Sequence, residues 1–244
     1  MKQSESKKAK LFTLVLPQLK SRTPYFSIDA VKRRLKELQI NVADNLLRLY
    51  LSEATTKGII HDAGRGWYSR LAEPVALDRK PVQKLAKLLE KEFPLLDFTV
   101  WSTQQVNPWM HHLLGKFLDF VQVDKDGLSA VASFLRDKGY DVHEHPTGAT
   151  ARKVAARANT IVVRPLNAHA PRDGHFSPPE AVLVDLSFEV EQLGVMDVAE
   201  FRAMASRLVS SGRIAWGSFL QYAAKRERSA GDVVASEIDS LMAE

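Results

Sequence analysis

His143-Glu144-His145 places two imidazoles two positions apart, a spacing that on a strand puts both on one face and supplies half of a zinc site. The other half is missing. The chain has no cysteine, and no third ligand can be assigned beside the pair, so neither a metal nor a cofactor is expected. His111 and His112 are adjacent and point different ways on a helix, which reads as polar surface plus one buried ring. A metal-dependent nuclease needs an acidic pair and a lysine around one strand. Asp119, Asp124 and Lys125 supply those residue types, but on a strand Asp119 and Asp124 face opposite sides. There is no glycine-rich phosphate loop and no nucleophile elbow. The expectation is a protein that binds, not an enzyme.

What it binds is suggested by where the charge lies. Residues 1–70 hold 14 Lys and Arg against 6 Asp and Glu, a net of +8, whereas the other 174 residues hold 20 against 23, a net of −3. A basic head on a slightly acidic body faces a polyanion. The Lys-led start is read as the first amphipathic helix of a domain, because Thr13, Pro17, Gln18 and Lys20 interrupt its apolar run and no small-residue cleavage site follows. No apolar stretch approaches the roughly 20 residues of a membrane span. With no disulfide framework, a soluble cytoplasmic protein is expected.

The elements that would present this charge are legible. Ser6 to Lys20 reads as a helix with Phe12, Val15, Leu16 and Leu19 inward. Ser27 caps a second, with Ile28, Val31, Leu35 and Leu38 at helical spacing and Lys32, Arg33 and Lys36 opposite. A break at Gln39 to Asn41 separates it from a third helix, stopped by Gly58. The third helix turns Leu46, Leu47, Tyr50, Leu51 and Ala54 inward and Asn45, Arg48, Ser52, Thr55 and Thr56 outward. Those outward types hydrogen-bond to base edges and phosphates. Ile59 to Leu71 then reads as a β-hairpin with Arg65 between two glycines at its tip, flanked by Lys57 and Arg70. Helix, helix, turn, helix, hairpin is the order of a winged helix-turn-helix.

After a linker over residues 72–80, helices and strands alternate from Pro81. Strands are expected around 96–103, 116–125, 140–146 and 159–166, with a short helix over 105–115 and another over Ala149–Ala158. Ser177 in "SPPE" reads as the cap of a helix over 178–192. Helices near 197–210, 214–228 and 231–243 close the chain. The fold class is therefore α+β: a winged helix-turn-helix over residues 1–72, then a mixed α/β domain over residues 81–244 ending in helices.

"FPLLDFTVWSTQQVNPWMHH", "IVVRPL", "EAVLVDL" and "FLQYAAKRER" resemble, in order and spacing, the AbiEi-like antitoxins of bacterial type IV toxin–antitoxin systems, over most of residues 26–228. The resemblance implies a winged helix that binds and represses the promoter of its own operon. It also implies a second domain that counteracts a nucleotidyltransferase-like toxin without a stable complex between the two. The DNA-facing residues would be Lys32, Arg33, Asn45, Arg48, Ser52, Thr55, Lys57 and Arg65. No catalytic residue is transferred. Trp101, Trp109, Arg164, Asp185, Tyr222 and Arg226 fall inside the resembling segments; core tryptophans and structural ion pairs are the plainer account of them. Tyr222, Arg226 and Arg228, at the end of an amphipathic helix, are the candidates for an antitoxicity surface. The alternative keeps the winged helix and makes the second domain a nuclease or a ligand-sensing module.

Overall fold

The computed structural model describes residues 6–71 and 74–226. It is a mixed α/β chain with two sheets. The linear division expected from the sequence becomes an interleaved one. Among the described residues, a first unit contains the chain up to Val75 together with Leu208–Leu220, and a second contains Ala76–Arg207 and residues 221–226. Among the described residues no helix is long and apolar enough to cross a membrane.

The first unit starts with α1 (Lys7–Lys10), capped by Ser6, whose Oγ accepts from the Ala9 N–H at 3.1 Å. A π-helical turn over Leu11–Val15 leads into α2 (Leu16–Arg22). Pro17 has no N–H to give to the Thr13 carbonyl, so the local ladder lengthens and the Leu16 N–H donates to Leu11. Strand β1 (Tyr25–Ser27) ends on the Ser27 cap of α3 (Ile28–Glu37). That helix stops where Gln39 takes a left-handed φ of 55°, and α4 (Asp44–Thr56) follows. Strands β2 (His61–Asp62) and β3 (Trp67–Ser69) complete an antiparallel sheet in the order β1-β3-β2, with Ser27 opposite Trp67 and His61 opposite Ser69. Leu11, Val15 and Leu16 pack with Phe26, Val31, Leu35, Leu47, Leu51, Ala54 and Ile60 into one core.

The returning segment fills the other side of this sheet. Trp216 is stacked on Tyr25 (5.5 Å between centroids) and on Phe219 (5.0 Å), and meets the edge of Trp67 at 6.3 Å. The Tyr25 hydroxyl accepts from the Ile214 N–H at 2.9 Å, Ser69 Oγ donates to the Gly212 carbonyl, and the Val75 N–H donates to Arg213 at 2.7 Å. Gly217 has to be glycine, because a Cβ there would lie 2.1 Å from the Gly64 carbonyl oxygen.

The second unit is built on a four-stranded sheet ordered β4-β5-β7-β6, from β4 (Phe98–Ser102), β5 (Asp119–Val123), β6 (Asp141–Glu144) and β7 (Thr160–Pro165). Strand β4 is antiparallel to β5, and β5, β7 and β6 run parallel. Alternation sends Val100, Val121, Val123, Ile161 and Val163 to one face, where α5 (Lys80–Glu92) and α6 (Leu128–Asp137) cover them. The opposite face carries a row of polar residues in register, Thr99–Gln122–Arg164. Helix α8 (Pro179–Leu193) lies against it, buried on nearly every side. Helices α9 (Val198–Ser210) and α10 (Trp216–Lys225) follow.

Three local expectations are corrected. The helix expected from Ala149 shrinks to α7 (Gly148–Ala151). Residues around 104–114 form two 3₁₀ turns instead of a helix, leaving both His111 and His112 exposed. Ser177 does not cap α8: the N-cap is Pro178, and the buried Ser177 Oγ has no partner. The helix expected at 231–243 lies outside the described residues.

Deleting the Trp216 side chain removes both ring stacks, so Trp216→Ala should lower stability by about 3–5 kcal/mol. A fragment ending at residue 72 should unfold at lower denaturant than the intact chain, since it lacks the Ile214 and Gly217 N–H groups that donate to the Tyr25 hydroxyl and the Ala63 carbonyl. Urea titrations followed by circular dichroism measure both, and an unchanged midpoint would show that the returning segment adds nothing.

Candidate functional site

The outward face of α4 forms because Leu47, Leu51 and Ala54 are committed to the core, which leaves Asn45, Arg48, Ser52 and Thr56 exposed. Over 13 residues the helix is about 20 Å long, so Asn45 and Lys57 stand at opposite ends of it. Arg48 is exposed, with no hydrogen bond or ion pair among the described residues. Its charge reaches the β2–β3 hairpin, where it pulls the Tyr68 phenol down against the upward push of burial and of Asp62. Helix face and hairpin thus share one field.

The hairpin tip is tightly drawn. Asp62 Oδ1 accepts from the Gly64 N–H at 2.9 Å, and the Ala63 N–H donates to the Trp67 carbonyl at 2.9 Å. Gly64, Arg65 and Gly66 all have positive φ, of 81°, 50° and 80°. An arginine held between two glycines in this conformation projects outward, and Arg65 is exposed without a partner among the described residues. The Ala63 carbonyl accepts from the Gly217 N–H at 2.9 Å, which ties the hairpin to the returning segment.

The structure sorts the sequence candidates. Arg33, Arg48 and Arg65 are exposed cations without a partner among the described residues. Lys32 donates to Asp44 Oδ2 at 2.8 Å, so its charge is already matched. Lys57 sits 2.8 Å from Glu53, with Lys8 at 2.5 Å on the same carboxylate, and those two lysines hold Glu53 below the usual carboxylate range. Both ammonium groups lie over the Phe12 ring, so Lys57 belongs to a cluster with α1. The Thr55 hydroxyl donates back to the Leu51 carbonyl at 3.0 Å, and Asn45 Oδ1 accepts from the Leu46 N–H at 2.8 Å; the Asn45 amide nitrogen stays outward.

In the second unit, the residues singled out by the resembling segments converge on α8. The Asp185 carboxylate is buried and accepts from the Tyr222 hydroxyl at 2.7 Å, from Gln122 Nε2 at 2.7 Å and from Arg226 Nη1 at 3.0 Å. Burial pushes Asp185 up, while Arg226, Tyr222 and Gln122 pull it back. Arg226 is opposed by its own burial, yet Asp185 and Tyr222 hold it above its ordinary value. Three donors surround the carboxylate among the described residues, an environment that suits its ionised form. Thr99 Oγ1 donates to Gln122 Oε1 at 3.0 Å and fixes the orientation of that amide.

One helical turn on, Glu189 receives both Nε and Nη2 of Arg164, at 2.8 and 2.6 Å. Burial raises Glu189 against the pull of Arg164. Tyr222, expected on a binding surface, is in the core; burial and then Asp185 push its phenol up. Arg226 is mostly buried with it, and Arg228 lies outside the described residues. Glu189 was missed as a partner, although an Asp185–Glu189 pair at i, i+4 amid the apolar residues of this helix does announce buried cations.

His143 and His145 do not share a strand face. Strand β6 ends at Glu144, and His145 turns away with a left-handed φ of 40°. Asp119 is half-buried in β5 opposite Ser102 and pushed up by burial, partly offset by a Ser102 hydrogen bond. Asp124 is exposed beyond the other end of the strand, about 16 Å along it. Among the described residues no three His, Asp or Glu side chains are grouped to hold a metal.

Residues 46–235 match a family of unknown function, DUF6577. The chain belongs to this family. No curated protein matches the chain. The DUF6577 match begins inside α4 and takes in the hairpin, the returning segment and the whole Asp185–Arg226 and Arg164–Glu189 cluster. Helix α3, with Lys32 and Arg33, lies outside it.

Asp185→Ala would strand Arg226, the Tyr222 hydroxyl and Gln122 together, and should cost about 3–5 kcal/mol. Asp185→Asn keeps an acceptor oxygen for Tyr222 and should cost less. Denaturant midpoints of the two variants test this, and equal losses would show that charge, not hydrogen bonding, is what the site requires.

Proposed function

We propose that the first unit is a winged helix-turn-helix in which α4 enters the major groove of promoter DNA and the β2–β3 hairpin is the wing. The supporting observation is the pair of exposed, unpartnered arginines, Arg48 on the outward face of α4 and Arg65 at the hairpin tip, set in a head of net charge +8. Arg48 and the Asn45 amide, near the N-terminal end of α4, have the donor chemistry to read base edges. Arg33 and Arg65 have the chemistry to hold phosphates. Lys32 contributes less, because Asp44 neutralises it.

On this reading, and on the resemblance to AbiEi-like antitoxins, the chain is the autorepressing antitoxin of a type IV system. Its second unit opposes a nucleotidyltransferase-like toxin without binding it stably. Since Tyr222 is buried, it acts by shaping that unit and offers no contact surface itself.

A gel-shift titration against promoter fragments tests the DNA-binding part. With about five phosphates contacted, log K should fall with log salt at a slope of about −4.5. Arg48→Ala should cost about 1–3 kcal/mol on the preferred sequence and narrow its advantage over others. Arg65→Ala should weaken all sequences alike, and Lys32→Ala should weaken binding less than Arg65→Ala. Binding that does not respond to salt would overturn the reading. Co-expression with a nucleotidyltransferase-like toxin encoded beside this chain should restore growth, and failure to do so would remove the antitoxin role while leaving the DNA-binding result intact.

A further inference from the structure

A cavity of about 270 Å³ opens in the second unit beside the Arg164–Glu189 pair, close to the lower end of the range for small-molecule sites. Its polar lining is one-sided in hydrogen-bonding capacity. The acceptor oxygens are engaged: both oxygens of Glu189 by Arg164, Gln192 Oε1 by Arg164 Nη2 at 3.0 Å, and Asn167 Oδ1 by the His169 N–H at 2.9 Å. The donors are not. The Gln192 and Asn167 amide nitrogens, the Lys125 ammonium and the Nε and Nη2 edge of Arg226 have no partner among the described residues. Arg226 is held in place from behind by Asp185 and Tyr222 through Nη1, and lies 4.9 Å over the Phe188 ring. A wall with several free donors, its acceptor oxygens each already bonded to the protein, is complementary to an oxyanion.

Charge agrees with this. Lys125, Arg164 and Arg226 outnumber the carboxylates of Glu189 and, behind the wall, Asp185. Leu166, Pro165 and Phe188 supply an apolar side, and the volume exceeds what a bare inorganic ion fills. The site is a single cavity and not a track along the surface, which favours a small molecule over a nucleic-acid backbone. His145 stands at this cavity in its left-handed conformation, a backbone strain of the kind that collects at ligand sites.

We propose that this cavity binds a small phosphorylated organic molecule of nucleoside-monophosphate size, its phosphoryl group held by Lys125, Arg226, Asn167 and Gln192 and its organic part against Leu166 and Phe188. The site is independent of the DNA-binding reading and stands if the first unit binds no DNA. Burial, then the charges of Arg164 and Lys125, hold the His145 imidazole below its usual range. Glu189 and Arg226 are the other charged groups lining the cavity. A bound phosphoryl group adds negative charge there and raises the imidazole pKa. Binding therefore favours the protonated form of this imidazole.

Isothermal titration calorimetry on the full chain tests this with adenosine monophosphate, inorganic phosphate, adenosine and a short single-stranded oligonucleotide. The nucleotide should bind, inorganic phosphate more weakly, and adenosine not at all. Lys125→Glu reverses an exposed, unpaired charge, so its thermal midpoint should match the parent while nucleotide affinity falls about tenfold or more, the worth of one charge-assisted hydrogen bond. The His145 ring resonances should titrate at higher pH when the nucleotide is present. No binding of nucleotide or phosphate at millimolar concentration would overturn the proposal, as would unchanged affinity in Lys125→Glu. An oligonucleotide that binds through Lys125 while the mononucleotide does not would overturn it in favour of a nucleic-acid surface.

Discussion

Two carboxylates on a helix buried on nearly every side govern the second unit. Asp185 and Glu189 are carried inward by the apolar residues of α8, and an unpaired buried charge costs several kcal/mol. Each therefore requires a cation and a set of donors at a fixed place. Arg164 on β7 answers Glu189, and Arg226 after α10 answers Asp185, with Gln122 of β5 and Tyr222 of α10 completing the shell. These demands hold α8 to the polar row of the sheet and hold the end of α10 to α8. Replacing the cluster with apolar residues would relax the register, because aliphatic side chains accept many arrangements and a three-donor carboxylate accepts few.

The same cluster prepares its surroundings. With Arg164, Glu189 and Gln192 bonded to one another, the Gln192 amide nitrogen is left without a partner among the described residues beside the adjoining cavity. In the first unit, too, one set of contacts decides what is left over. Asp44 and Glu53 absorb Lys32, Lys57 and Lys8, so the cations left without partners include Arg48 on α4 and Arg65 on the hairpin.

Where period and local chemistry decide the structure, the sequence is readable. Ser27 as a cap, the Val31–Leu35 stripe, Gly58 as a stop and the Asp62–Gly66 turn depend on neighbours a few residues away, and each occurs as expected. The strands around 98–102, 119–123 and 160–165 were legible from their short apolar runs. Partnerships across long separations were not. Nothing near Lys32 in sequence shows that Asp44 neutralises it. Tyr222 looks amphipathic on its own helix, and only the distant Asp185 turns its hydroxyl into a buried donor. Ala149–Ala158 has helical composition, yet only its first turn is helical, because propensity without a face to bury is weak. The return of residues 208–220 to the first unit has no local signature at all, apart from a tryptophan beside a glycine.

That return has a consequence for the order in which the molecule is made. Tyr25 waits for the Ile214 N–H across 189 positions, and Gly64 waits for Gly217. At about 5–20 residues per second, roughly 7–30 s of translation separate Val75 from Leu220. During that interval the nascent head has its helical core but lacks Trp216 against Tyr25, and the strand carrying Tyr25 stays uncovered on that side. The head is finished only after residues 76–207 of the α/β unit have been translated, so a ribosome that stalls among them leaves the basic head incomplete.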